Sequence, residues 1–310
     1  MSFDIPSPPS YGGVIDVYYK VKALAELGVK VHLHCFEYGR ERAKDLKELC
    51  TEVHYYSRRQ GKYQLLSKLP FVVTSRRSEA LLTRLLKDDH PILFEGLHTC
   101  YYLGDPRLLG RTRLVRAHNV EHDYYAALAK AEGNAFRRTY FINEARKLQK
   151  FELVLSEADH ILAISPKDQA YFEGHFNHVT HLPAFHASDK VDVPDGVGDF
   201  AFYHGALGVA ENDQAALFLV RQVFKDLPVK LVIAGSDASS ELKKEIARSK
   251  NVSLRANIGT QEIHRLVSKA QVNVLPTFQA TGIKLKLLLC LYTGRHVVCN
   301  TRMVEGTGLA

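Results

Sequence analysis

No run of 18 apolar residues occurs in this 310-residue sequence, so no transmembrane helix is expected. The opening MSFDIPSPPS lacks a basic stretch followed by an apolar one, so no secretory signal is visible. The five cysteines (Cys35, Cys50, Cys100, Cys290, Cys299) are far apart with no CxxC pair, and most sit in apolar segments. That suits reduced thiols in a cytoplasmic core rather than disulfides or a zinc site. Fifteen histidines are present, but no HExxH spacing, so no metal site is expected. No G-x-G-x-x-G with an acidic residue about twenty positions on is found, which argues against a dinucleotide oxidoreductase. The net charge of +7 comes with no DNA- or RNA-binding motif, so nucleic acid is not an expected partner. It suits phosphorylated ligands or an anionic membrane surface.

With 46% hydrophobic residues the chain can bury a sizeable core, and its length favours two domains. Its most informative stretch is VNVLPTFQATGIKLKLLLCLYTGRHVVCN, residues 272–300. Val272 to Leu275 reads as a buried strand stopped by Pro276. A small-residue loop containing Thr281 and Gly282 follows, then a helix with Lys284 and Lys286 in its first turns, closed by Gly294. Unpaired N–H groups at a helix start favour phosphate, and two lysines add full charges. The plain alternative is an α/β crossover with solvated lysines.

Other segments read as parallel α/β units. Ser2 to Ile5 is a stub of strand before PSPPSYGG, and Gly12 and Gly13 open a helix where backbone can approach a ligand. A strand (VKVHLHCF), an amphipathic helix over 40–49 and a short strand over 52–56 follow. Residues 57–87 are basic and interleaved with Leu, Tyr, Phe and Val, a candidate peripheral membrane or acceptor surface. Pro70 interrupts any long amphipathic helix there, which favours a solvated face. Strands 91–95 and 112–117 deliver His98 and then His118, Asn119, Glu121 and His122 to their carboxyl ends, where ligands gather in open parallel sheets. Helices are expected near 120–131 and 135–157, and Ser165-Pro166 starts another. The expected layout is an N-terminal domain over 1–186, a Gly/Pro-rich linker over 187–199, and a second domain over 200–310. The latter runs from strand FAFYHG through helices 211–225, 239–249 and 260–269 to the stretch above. Both ends of the chain look short for such domains.

The tract RAHNVEHDYYAALAK and the helix and strand entry FRRTYFINEARKLQKFELVLSEADHILAISPKD resemble the N-terminal domain of glycosyltransferase family 4. The GG loop, FAFYHGALG and TGIKLKLLLCLYTGRHVVC fit the family's order, so the resemblance covers nearly the whole chain. It implies a GT-B fold, two Rossmann-like domains with parallel sheets facing a central cleft. It also implies transfer of a sugar from a nucleotide-sugar to a saccharide or lipid-linked acceptor, with retention and without metal or other cofactor. In cell-surface polysaccharide or glycolipid synthesis that work is cytoplasmic, and residues 57–87 are the candidate for any peripheral contact with the inner face of the membrane. Under the resemblance His118 contacts the donor sugar, and Lys284 and Lys286 steady the diphosphate. Gly12, Gly13, Gly205, Ile258, Thr281 and Gly282 line the donor, and His98, Asn119 and Glu121 line the acceptor side of the cleft.

The sequence also departs from the family. Leu289 stands where a glutamate usually grips the ribose, Gln279 or a neighbour replaces the other acid, and His296 replaces a proline. The usual R-x4-K pair is missing from GALGVAEND. Loss of a bidentate carboxylate weakens donor affinity, so a catalytically weak or inactive binding or scaffold relative is the alternative function.

Overall fold

The computed structural model describes residues 1–61, 64, 66–278 and 283–309, and the chain divides into two compact units, Met1–Phe185 and His186–Ala310. The first unit contains α1 (Gly12–Glu26), β1 (His32–Glu37), α2 (Leu46–Leu49), β2 (Glu52–Ser57), α3 (Phe71–Thr74) and α4 (Glu79–Leu85). It continues through β3 (Ile92–Glu95), β4 (Arg113–Ala117), α5 (Glu121–Ala131), α6 (Ala135–Phe151), β5 (His160–Ala163), α7 (Pro166–Glu173) and β6 (Val179–His181). All the strand pairings are parallel, β1 with β2 and β3-β4-β5-β6 in sequence.

Met1 and Ser2 join these two sheets. Ser2 N–H donates to His34 O at 2.7 Å and Ser2 O accepts from Phe36 N–H, while Met1 O accepts from Glu95 N–H at 3.0 Å on the other side. The expected strand over Ser2 to Ile5 is thus reduced to this two-residue segment, and Asp4 bends away by accepting from Ile5 N–H at 2.8 Å. Counting it as the first strand, the order is β2-β1-(Met1–Ser2)-β3-β4-β5-β6. Sequence order therefore reverses between Met1–Ser2 and β3.

The second unit holds β7 (Phe200–His204), α8 (Ala210–Phe218), β8 (Lys230–Gly235), α9 (Ser240–Arg248), β9 (Val252–Ala256) and α10 (Thr260–Lys269). Next come β10 (Val272–Leu275), α11 (Leu285–Thr293), β11 (Val297–Cys299) and the short α12 (Thr301–Val304). Its sheet is parallel in the order β11-β10-β7-β8-β9, so the reversal falls between β7 and β10. Each unit has its own core, centred on residues such as Phe94, Leu103 and Val115 in the first and Phe202, Leu231 and Val267 in the second. The architecture is α/β and GT-B-like, made of two Rossmann-like units.

Some local expectations need correction. Residues 40–45 are not helical, and only Leu46–Leu49 is. The segment is pinned by side chains instead: Arg42 pairs with Glu37 at 2.7 Å and lies over the Tyr55 ring, and Asp45 accepts from Ser7 Oγ at 2.7 Å. The expected helix over 135–157 ends at Phe151 and tightens into a 3₁₀ segment, Glu152–Glu157. The one over 211–225 becomes α8 followed by a π turn, Leu219–Val223. Ser165 caps α7 by accepting from Asp168 N–H, with Pro166 in the first turn.

Parallel strands here come close to neighbouring backbone. A Cβ on Gly235, at the end of β8, would lie 1.9 Å from Gly205 O. Gly235→Ala is therefore expected to destabilise the protein by about 2 kcal/mol or more through overpacking against rigid backbone. A urea midpoint unchanged from wild type would contradict this.

Candidate functional site

In open parallel sheets, ligands bind beyond the carboxyl ends of the strands where the order reverses. Each unit has one such place, and each gathers ionisable side chains.

In the first unit α1 presents Asp16 and Lys20 inwards, one turn apart beside the apolar Val17 and Val21. Lys20 Nζ lies 3.0 Å from Asp16 and 2.9 Å from Glu95 at the end of β3. Arg116 of β4, wholly buried, donates to Asp16 at 2.9 and 3.2 Å and to Pro183 O at 3.0 Å. Phe185 N–H donates to the same carboxylate at 2.9 Å, tying the segment after β6 into the network. Burial opposes charge on Asp16 and Glu95, but Lys20 and His118 outweigh it for both, helped at Asp16 by Arg116, and hold both carboxyls below the usual range.

His118 belongs to this network. Its Nε2 is 3.0 Å from Glu95 and its Nδ1 is 3.8 Å from Asp16, so both ring nitrogens face carboxylates. Asp16, Glu95 and His118 bring ligand-type atoms within 4.8 Å of one another, but the cation between the two carboxylates is the Lys20 ammonium. His32, Asp88 and His90 form a second such group, in which Arg111 holds Asp88 at 2.8 Å.

Above the network the Phe3 ring stands 5.6 Å from His98 and 5.5 Å from His118. It fills the space over Gly13, where a Cβ would come within 2.6 Å of Phe3 Cζ; nothing lies within 4 Å of one on Gly12. Gly96 has φ +69 and a Cβ there would meet His98 Nδ1 at 3.0 Å, so glycine serves both the backbone and the imidazole. Glu121 opens α5 with its carboxyl 3.7 Å from His98 Nδ1. Burial pushes it up to about 8, against a hydrogen bond from Asn119. Burial likewise holds His98 well below its usual value. The structure thus brings His98, Asn119 and Glu121 together, next to Phe3 and His118.

In the second unit Lys284 directly precedes α11 and lies 3.1 and 3.2 Å from the two oxygens of Glu211, in the first turn of α8. Thr277, just beyond β10, also donates its hydroxyl to Glu211. Lys286 donates to Asn212 Oδ1 at 2.9 Å and sits 5.0 Å from the centre of the Tyr203 ring. Burial, with Lys284 nearby, brings its ammonium down to about 8, against the pull of Glu211. Asn300 fixes Thr277 by donating to its carbonyl at 2.7 Å and accepting from its N–H at 3.2 Å. Gly205 follows β7, and a Cβ there would press on Asn212 at 3.0 Å.

The remaining expected positions are more peripheral or lie elsewhere. Ile258 follows β9 and turns to the second core, as does the half-buried Leu289. Gln279, Thr281 and Gly282 lie outside the described residues. Of the basic stretch 57–87, Arg76 is buried and donates to Phe3 O at 2.9 Å, and Arg58 lies over the Tyr38 ring. Sequence reasoning missed Asp16, Lys20, Glu95, Arg116 and Glu211. The i,i+4 pair Asp16–Lys20, set within the apolar stripe of α1, was the available signal. Glu211 carries no such mark.

No family model matches the chain. An uncharacterized 44.6 kDa protein in the cps region of Klebsiella pneumoniae is 28% identical over 328 aligned residues, covering 99% of this chain and 84% of that protein. Among solved structures, S. aureus TarM is similar at a TM-score of 0.53 and 14% identity, over 74% of this chain. The Thermobaculum terrenum O-GlcNAc transferase is similar at 0.52 and 11%, over 96% of this chain. This chain spans 44% of the TarM chain and 51% of the O-GlcNAc transferase chain. Among the described residues no helix is long and apolar enough to cross a membrane.

Glu121 gives this region a pH signature. Folded, it keeps its proton up to about 8, well above the ordinary glutamate value of about 4.5. Between these values the folded state binds the extra proton, so this group's contribution to stability falls as pH rises, by up to about 1.4 kcal/mol per unit. Glu121→Gln is expected to flatten that decline. Equal slopes for the two proteins, in urea midpoints taken from about pH 5 to 8, would contradict the assignment.

Proposed function

We propose that this chain is a retaining glycosyltransferase of the family 4 type. It moves a sugar from a nucleotide-sugar to an acceptor hydroxyl in cell-surface polysaccharide or glycolipid synthesis. The observation that carries the reading is the meeting of Lys284, Lys286, Thr277 and Glu211 where the second sheet reverses its order. The ordered motifs support it, as does the relative's place in a cps region. The similar TarM structure holds UDP and alpha-GlcNAc-glycerol.

In the proposed reaction the bond from the anomeric carbon to the donor phosphate breaks, and one to the acceptor oxygen forms on the same face. The acceptor proton passes to the leaving phosphate. Lys286 and the N–H groups at the start of α11 stabilise charge on that phosphate without reorganising. His98, Asn119 and Glu121 receive the acceptor, and His118 stays fixed by Glu95 and Asp16 at the edge of the same region. No metal is assigned a step. A lipid-linked acceptor would bring the protein to the inner face of a membrane, where the strongly exposed Leu66 lies within the basic stretch.

A second reading, a binding or scaffold protein of the same fold, is favoured by two observations. Lys284 is already paired with Glu211, and Leu289 packs on the core instead of offering a carboxylate.

Calorimetric titration with UDP tests the assignment. Lys286→Ala is expected to weaken binding about tenfold or more and Lys284→Ala to weaken it less, since part of its charge is already matched. His118→Ala should stay within about threefold while slowing transfer. Equal losses in all three would contradict separate roles.

A further inference from the structure

Lys284 stands where an anion is expected, and the protein has put one there. Glu211 is buried, both its oxygens lie within 3.2 Å of Lys284 Nζ, and Thr277 donates to it as well. The charged groups that face this place can be followed element by element. From α11 come Lys284 and Lys286, and from α8 Glu211, while Asp213 is turned to Ser239 N–H at 3.3 Å. From β7 comes His204, which burial keeps neutral at about 3. Arg302 sits at the rim, donating to Phe278 O at 2.6 Å. Residues 279–282 (Gln, Ala, Thr, Gly) bring no charge. Among the described residues that face this place, two lysines less one glutamate leave one net positive side-chain charge. A free nucleoside diphosphate ends in a phosphate carrying two charges, whereas a sugar-capped one carries a single charge on each phosphate. A buried carboxylate beside the phosphates penalises the extra charge, because like charges repel strongly where water is scarce.

Resting on the reading of this order reversal as the donor site, we propose that Glu211 is a specificity-determining residue. By matching the charge of Lys284 it makes the site favour a sugar-capped diphosphate over the free nucleoside diphosphate. The carboxylate also keeps acceptor capacity for a hydroxyl, which a capped donor brings and inorganic pyrophosphate does not.

The test is calorimetric titration of the full chain, wild type and Glu211→Gln, with UDP, UDP-glucose and inorganic pyrophosphate. Glutamine keeps an acceptor for Lys284 and Thr277 while removing the charge. The variant is expected to bind UDP and pyrophosphate about tenfold more tightly or better, and UDP-glucose within about threefold of wild type. The double variant Glu211→Gln/Lys284→Gln removes both charges and should bring UDP back to within about threefold of wild type, even if the single variant folds poorly. If wild type binds any of the probes and removing Glu211's charge does not favour UDP over UDP-glucose, the proposal is overturned and the donor-site reading stands. If no probe binds any of the proteins, the reading falls too, and the proposal with it.

Discussion

The first unit is tied together by a buried charge network that runs beside its apolar clusters. Asp16 alone receives Lys20, Arg116 and the N–H of Phe185, and through them it holds α1, β4 and the segment after β6. Glu95 answers from β3, matching Lys20 and His118. Removing one partner from such a network leaves an uncompensated charge, at a cost of about 3–5 kcal/mol. The arrangement keeps His118 from turning, and with Gly96 and Gly13 it sets the positions of His98 and Phe3. What looks in the sequence like a catalytic histidine is, in the folded unit, first of all a member of the interior.

The second unit uses fewer groups for a similar purpose. Where its sheet reverses order, two lysines stand at one helix start, Lys284 held by Glu211 and Lys286 by Asn212. Preorganisation of this kind lowers the cost of ordering long cationic side chains around an anion. It also limits how much charge is left for the ligand, which links the donor reading to its scaffold alternative. The same pair supports both, and only its response to anions separates them.

Much of the fold was legible because parallel strands leave dense apolar runs between turn signals. Val272 to Leu275 and KLVIAGS are strands as expected, and Ser165-Pro166 starts α7. Which polar residues follow which strands could be read, Lys284, Lys286, His98 and Glu121 among them, but the strand order and its reversals come only from the folded sheets. The misses have a common cause. Residues 40–45 have a helical pattern but are held by Arg42 and Asp45 to other segments, and the first strand shrinks because Asp4 turns the chain. Lys20 meets Glu95 across 75 positions and Lys284 meets Glu211 across 73, and no local pattern records such pairs.

The proposed function places a nucleotide at the order reversal of the second sheet. It is tested most directly by mapping amide NMR shifts of the full chain as UDP-glucose and UDP are added. The shifts are expected to concentrate at residues 203–212 and 275–287, with Lys286→Ala suppressing them. Shifts confined to other parts of the chain, or none with any nucleotide or nucleotide-sugar tried, would contradict it.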